Sequence, residues 1–225
     1  MSEDVKRKPR TYVPGVQRLM ALPEIIDLRM LERQGLTRGT ARLQASLWAR
    51  AGMLKPAGPR TGIYYNLVRD NRGASAHLGA LLVRQYATPV VIGASALNHH
   101  GWTTQMPRVL EVAVPVTRRR RRLLQIDGAI VVPRPLSWYR MIADHLSDGP
   151  YGLRVLEPQY ALADAYRHKD VWVPDPDDID LSDALEEHVS SLRKALEEMS
   201  VPEGEAEAHL RELEPGSYGF SPHHN

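Results

Sequence analysis

Hydrophobic and polar positions in the first third of the chain predict three short helices followed by a β-hairpin. Apolar residues recur at steps of three and four in three segments separated by Pro or Gly, namely Pro14–Leu22, Glu24–Gln34 and Thr37–Ala51. Two strand-like segments follow, Met53–Lys55 and Ile63–Val68, with a turn rich in Pro and Gly between them. This order predicts a winged helix-turn-helix over residues 10–68.

The middle of the chain mixes helical and extended patterns. The helical patterns cover Ser75–Tyr86, Ala94–His100 and Pro158–Arg167. The extended patterns cover Pro89–Ile92, Val109–Val116, Ala129–Val132 and Leu153–Leu156. Strand and helix do not alternate strictly enough for a doubly wound sheet, so residues 74–170 are predicted to form a mixed α/β domain and the chain to be of the α+β class.

Residues 171–225 differ in character and are predicted to form an acidic helical tail. An acidic linker containing proline leads into a long amphipathic helix, Ser182–Ser200, whose apolar stripe runs from Leu185 to Met199. The stripe favours covering the chain's own core over binding a partner helix. The last stretch, Pro202–Asn225, is polar and is expected to be loose.

Composition narrows the class of protein. Apolar residues make up 43% and charged residues 25% of the 225 residues, which is typical of a globular chain, and there are no cysteines. Thiol catalysis, disulfides and cysteine zinc sites are therefore excluded. The sequence has no apolar run of the roughly 20 residues that a membrane span needs and no signal peptide, so a cytoplasmic protein without membrane contact is expected.

The net charge of +2 conceals a strong asymmetry along the chain. Residues 1–122 hold 21 Lys and Arg against 7 Asp and Glu, whereas residues 170–225 hold 3 against 15. The first part is thus +14 and the last part −12. Such a distribution predicts a surface for polyanions near the N-terminus and an acidic appendage at the other end.

The third helix carries the candidate DNA-binding residues. If Leu43, Leu47 and Trp48 are buried, the opposite face exposes Arg38, Arg42, Ser46 and Ala49, with Arg50 on a flank. Small residues allow close approach to a major groove, and guanidinium groups pair with guanine. We therefore predict groove contacts from Arg38, Arg42, Ser46 and Arg50, and backbone contacts from Thr40, Lys55 and Arg60.

A run of five arginines follows the strand Val109–Val116 and forms an additional basic patch: Arg118, Arg119, Arg120, Arg121 and Arg122. Because a regular strand would alternate these side chains between two faces, a hairpin loop is expected. Two interpretations remain equally open: a further clamp on the DNA backbone, or else a solvated turn or a partner for the acidic tail.

No cluster of residues predicts a metal, a cofactor or a catalytic centre. The adjacent His99 and His100 would point about 100° apart on a helix, and Asp164 is interpreted as a hydrogen-bonding or capping residue. No catalytic residues are assigned.

Several segments of the chain resemble the AbiEi family of antitoxins from type IV toxin–antitoxin systems. These are the wing strand Gly62–Tyr65, the stretch from Ser95 to Trp102 in which Trp102 replaces the usual leucine, the following Pro107 with strand Val109–Val114, and Glu157–Ala165. The resemblance covers roughly residues 10–170 and leaves the acidic tail unmatched.

The resemblance implies two functions. One is repression of the protein's own operon by binding double-stranded operator DNA as a monomer or dimer. The other is neutralisation of a nucleotidyltransferase toxin, with which a stable complex is not expected. The chain itself differs from such an enzyme, because Gly93–Ser95 is followed by Glu111 and then Ala113, where a second metal-binding acid would stand. We therefore expect no enzymatic activity.

Two other hypotheses remain open from the residues. The third helix and the tail stripe could instead dock proteins, without specific DNA binding. The acidic tail could also fold over the basic surface and compete with DNA phosphates.

Overall fold

A computed structural model describes residues 15–72, 75–116, 125–181 and 185–213. The chain divides into two compact units, with the boundary between His77 and Leu78. Helices and two separate sheets make the protein α+β, as predicted. Within the described ranges, no helix is both long enough and apolar enough to cross a membrane.

The N-terminal unit combines three helices with a three-stranded sheet. Its elements in chain order are α1 (Gly15–Met20), β1 (Ile25–Asp27), α2 (Leu28–Arg33), α3 (Arg38–Arg50), β2 (Leu54–Pro56) and β3 (Ile63–Asn66). The sheet order is β1-β3-β2, and both pairings are antiparallel. A single 3-10 turn, Ser75–His77, precedes the boundary.

The predicted second helix was wrong in its first half. The helix does not start at Glu24. Residues 25–27 form strand β1 instead, and Ile25 pairs with Tyr65. β-branched isoleucines suit a strand, and Asp27 then caps α2 by accepting a hydrogen bond from the Met30 amide at 2.9 Å. Helix α2 therefore begins only after Asp27.

The core of the N-terminal unit lies between the three helices and the sheet. Its buried side chains are Leu19, Leu22, Ile26, Leu31, Ala41, Ala45, Trp48 and Leu54. The buried Asn66 ties the end of β3 to the end of α1, because its Nδ2 donates to the Leu19 carbonyl at 2.7 Å and to the Pro23 carbonyl at 3.2 Å. The Leu19 carbonyl also accepts from the Leu22 amide at 3.0 Å, so Asn66 adds a second donor to the end of α1 and one donor to the segment that follows it.

The C-terminal unit is built on a five-stranded mixed sheet. Its helices are α4 (Leu78–Gln85), α5 (Gly93–His99), α6 (Leu136–Met141), α7 (Pro158–His168), α8 (Leu185–Glu198) and α9 (Glu203–Leu213). Its strands are β4 (Val90–Val91), β5 (Leu110–Pro115), β6 (Ala129–Arg134), β7 (Leu146–Asp148) and β8 (Arg154–Leu156). Short 3-10 turns occur at Pro150–Gly152 and Pro176–Asp178.

Strand pairing in this sheet corrects one expectation. The order is β6-β5-β4-β8-β7, with β5 parallel to β6 and β4 parallel to β8. A hairpin joins antiparallel strands, so β5 and β6 are not the two arms of a hairpin, and the predicted hairpin loop at residues 118–122 itself lies outside the described residues. The sequence pattern also missed α6 and β7, which are short and carry weak periodicity.

Helix α7 is the central helix of this unit. Every residue from Tyr160 to Tyr166 is buried, and α7 packs against α5 on one side and α8 on the other. Helix α8 buries Leu192 and Leu196, so its stripe covers the chain's own core as favoured.

The segment just after Pro202 is more ordered than expected, while the rest of that predicted segment, residues 214–225, lies outside the described residues. Residues 203–213 form helix α9, although the sequence suggested a loose segment from Pro202 onward. Leu210 is buried, and the His209 ring stacks on Tyr166 with centroids 3.7 Å apart. These contacts attach helix α9 to the C-terminal unit, to which this part of the acidic tail belongs.

Candidate nucleic-acid interface

Helix α3 begins with a side-chain cap. The Thr37 hydroxyl accepts a hydrogen bond from the Thr40 amide at 3.2 Å and lies 2.8 Å from the Thr40 hydroxyl. Thr40 is exposed, but its predicted phosphate contact would share a hydroxyl already engaged in this cap. Helical geometry leaves the amides of Arg38 and Gly39 without intrahelical acceptors, so they are the first-turn donors that point toward solvent.

The buried face of α3 differs from the predicted one. Ala41, Ala45 and Trp48 are buried, whereas Leu43 is 62% and Leu47 49% exposed. Both sets have helical spacing, and the prediction chose the larger side chains. Trp48 was predicted to be buried and is; it packs close to α1, since a Cβ added to Gly15 would lie 2.6 Å from the Trp48 indole nitrogen.

This rotation of the buried face leaves the arginine predictions largely in place. Arg38, Arg42 and Arg50 are exposed. Ser46 is half-buried, and so is Ala49, which packs against the core instead of facing outward. The exposed surface of α3 thus consists of arginines, Gly39, Thr40 and the two leucines, with Ser46 half-buried.

The cationic side chains of this surface have no internal acidic partners among the described residues. The ion pairs of the N-terminal unit join Arg69 to Glu24, and Arg72 and His77 to Asp70. None involves an arginine of α3. Guanidinium groups left in this state remain available to an external anion.

The loop between β2 and β3 carries the other predicted cations. Lys55 lies on β2 opposite Tyr65, and its side chain is exposed. Arg60 is exposed in the loop and has a left-handed backbone with φ of 59°. The loop is closed by the Ala57 amide donating to the Ile63 carbonyl at 2.9 Å and by Thr61, whose hydroxyl donates to the Gly58 carbonyl at 3.0 Å.

The five arginines at 118–122 lie outside the described residues, so the structure does not bear on their predicted role.

The C-terminal unit contains an arginine with the opposite surroundings. Arg134 is 1% exposed and forms a bidentate ion pair with the fully buried Asp164, with nitrogen–oxygen distances of 3.0 and 2.7 Å. Its other donor positions reach Asp170 at 2.7 and 2.8 Å. The Trp138 indole also donates to Asp164 at 2.7 Å. Asp164 is therefore a hydrogen-bonding residue, as interpreted, but in an ionic cluster that the sequence did not reveal.

The pKa values in this cluster follow from its contacts. Burial raises the pKa of Asp170, but hydrogen bonds and the charge of Arg134 outweigh burial and hold it below its ordinary value. Burial and the charge of Arg134 lower the pKa of His168, whose ring lies 3.5 Å from Asp164. His168 stands four residues after Asp164, a spacing that could have indicated the pair from sequence.

The side chains of Ser95 and Glu111 are both engaged in hydrogen bonds with backbone amides. Glu111 is 4% exposed, and its carboxylate accepts from the amides of Ala94 at 2.6 Å and Trp172 at 3.3 Å. A Cβ on Gly93, where φ is +56°, would lie 2.2 Å from this carboxylate. The Ser95 hydroxyl accepts from the Glu111 amide at 3.0 Å. Burial raises the pKa of Glu111. The Glu111 carboxylate and the Ser95 hydroxyl therefore connect strand β5 to the start of helix α5.

Comparisons with known proteins bear on the fold. No family model matches the chain, and no curated protein matches it either. A solved structure, the crystal structure of the RV2827C protein from Mycobacterium tuberculosis, is similar with a TM-score of 0.51 and 18% sequence identity. The match covers 88% of this chain and 80% of that one, and it supports the α+β architecture as a whole.

Proposed function

We propose that the N-terminal unit is a winged helix-turn-helix that binds double-stranded DNA, and that the protein represses its own operon. The element order α1-β1-α2-α3-β2-β3 suits this assignment, with α3 as the recognition helix and the β2–β3 loop as the wing. The observation that carries the proposal is the set of exposed arginines on α3 with no acidic partner in the described residues.

Each predicted contact has a physical role in this proposal. The groove contacts would come from Arg38, Arg42, Ser46 and Arg50, of which the arginines can pair with guanine through their guanidinium groups, and Thr40 would contact a phosphate. Lys55 and Arg60 on the wing would contact the DNA backbone. The wing contacts add affinity that does not depend on sequence and weakens with salt.

The test is a salt titration of the full chain. DNA from upstream of the gene is labelled and its binding measured by anisotropy, with unrelated DNA of equal length as competitor. We expect affinity to fall by orders of magnitude between about 50 and 200 mM salt, since phosphate contacts release counterions. Binding that is independent of salt, or equal for both DNAs, would contradict specific recognition.

We further propose that the protein is an antitoxin without enzymatic activity of its own, acting against a nucleotidyltransferase toxin. This part rests on the sequence resemblance. The test is co-expression with the protein that the neighbouring reading frame encodes, provided that this protein has a Gly-Ser segment followed by two metal-binding acids. Growth should be restored without co-purification of the two proteins, and growth arrest that the chain does not relieve would contradict this part alone.

A protein-docking module is the second candidate function. The exposure of Leu43 and Leu47 favours it, because apolar side chains at the centre of a surface often mark protein contacts. The same salt titration separates the two candidates, since apolar docking does not weaken with salt.

A further inference from the structure

Two leucines occupy the exposed face of α3 beside the arginines. Leu43 and Leu47 are one helical turn apart, so their Cα atoms are separated by about 6 Å along the axis. Isolated exposed apolar residues are common on proteins, but here two of them adjoin the cations that the proposed function uses.

The surroundings of Leu43 favour close approach by a large partner. Gly39, one turn earlier on the same face, has nothing within 4 Å of a Cβ built on it, so that position is open and carries no side chain. At 100° per residue, Leu43 lies between the directions of Arg50 and Leu47. A partner that reaches Arg50 therefore also meets the leucines, while Arg42 lies about 100° further round the helix from Leu43.

The charge of the surface indicates which partner this is. An apolar protein surface placed on Leu43 would bury Arg42 and Arg50 without counter-charges, at a high cost in solvation. A DNA major groove supplies both chemistries: acceptor atoms and phosphates for the arginines, and the C5-methyl group of thymine as an apolar contact. Stacked base pairs are about 3.4 Å apart, so the leucine spacing spans about two of them.

We propose that Leu43 and Leu47 contact thymine methyl groups, so that the bound DNA element carries T·A pairs beside the guanines read by the arginines. This inference rests on the proposed DNA binding and adds the class of sequence that is recognised.

The experiment removes only the methyl groups. The bound site is first located by footprinting with the full chain, and each thymine in it is then replaced by deoxyuridine, which keeps all hydrogen-bonding groups. We expect the affinity of the unaltered protein to fall about three- to tenfold at one or two positions, because each methyl group removes a small apolar contact. Deoxyuridine elsewhere in the site should have no effect.

A protein variant completes the cycle. Leu43→Ala should bind the thymine site more weakly and should no longer distinguish thymine from deoxyuridine at one position. Val83→Ala is the matched control, since Val83 is also an exposed apolar residue on a helix, at 56% exposure, but belongs to the other unit. The control should keep both the affinity and the discrimination.

The outcomes separate the inference from the proposed function. Equal binding of thymine and deoxyuridine sites, with salt-dependent specific binding intact, would overturn the leucine contact and leave DNA binding standing. A change in oligomeric mass of Leu43→Ala without any methyl dependence would assign the leucines to contact between copies of the chain, and would also overturn it. Absence of any DNA binding would overturn the proposed function itself.

Discussion

The arginines of the two units have opposite surroundings. Arg134 in the C-terminal unit is buried and has two carboxylates within 3 Å. Arg42 and Arg50 in the N-terminal unit are exposed, with no carboxylate within ion-pair distance among the described residues. The first arrangement satisfies a charge inside the fold, and the second leaves charges for something outside it.

This contrast shows that the type of residue alone does not indicate its role. In sequence, Arg42 lies in the predicted third helix and Arg134 lies two residues after the predicted strand Ala129–Val132, and neither position reveals its role. Burial and ionic partners separate a guanidinium that stabilises the fold from one that is free to bind, and substitutions in the two units should therefore affect different measurements.

Substitution of the buried arginine should have the largest effect. Arg134→Met leaves Asp164 as an uncompensated buried charge, so we expect the free energy of unfolding to fall by about 3–5 kcal/mol. Urea denaturation followed by tryptophan fluorescence measures this loss. Arg140→Met, at an exposed position of α6, is the control and should change stability by less than about 0.5 kcal/mol. Equal stability of both variants would mean that the cluster does not hold the fold.

Arg42→Ala should leave stability unchanged and weaken DNA binding. We expect a loss of about 1–3 kcal/mol on the specific site and relaxed specificity at one base pair. Lys55→Ala should instead weaken binding evenly across sequences and reduce the salt slope by about 1. Gel-shift titrations at matched salt, with Arg140→Ala as control, measure both, and two harmless changes would remove these residues from the interface.

Asp170 should give a pH dependence smaller than either effect. Its pKa is lowered in the folded protein, so the carboxylate stabilises the fold above its ordinary pKa of about 3.9 and loses this contribution as pH falls toward the folded value. Asp170→Asn should therefore lower stability at neutral pH, and the difference from the parent should narrow below pH 4. Asp144→Asn, at an exposed position of the same unit, should show no such difference at any pH. A constant difference for Asp170→Asn would contradict the ionic role.

Substitutions in the acidic tail should have the smallest effect on DNA binding. They test whether carboxylates of this chain compete with DNA for the exposed arginines. Deletion from Asp170 onward would remove α8 and expose α7, so charge neutralisation is the better variant. Replacing the exposed Glu186, Glu187 and Glu197 with Gln should tighten binding to unrelated DNA at low salt by a few-fold, if the tail competes with phosphates. Unchanged affinity at low salt would exclude that competition.

Much of the fold was predictable from local patterns. The periodicity of α3, α7 and α8 and the apolar runs of β5 and β8 located these elements within a few residues. The first half of the predicted second helix failed because strand β1 depends on pairing with β3, about 40 residues later. Long-range pairing leaves no signature in a local window.

The candidate site was predictable in its charges but not in its apolar part. The exposure of Arg42 and Arg50 follows from the burial of Trp48, because at 100° per residue they lie about 120° and 160° from it around the helix. The exposure of Leu43 follows from burial of Ala41 and Ala45 on the opposite side of α3, which depends on tertiary packing and not on the local pattern. The ionic partners of Arg134 were also not predictable from a local pattern, since Asp164 stands 30 residues away in the sequence.

The anchor that Asn66 provides has a consequence during synthesis. The Leu19 carbonyl accepts from the nearby Leu22 amide, but its second donor, the Asn66 side chain, is encoded 47 residues downstream, so a nascent chain that stops before the end of β3 lacks this long-range anchor. We expect this unit to become protease-resistant in one step once that residue has left the ribosome tunnel, rather than helix by helix.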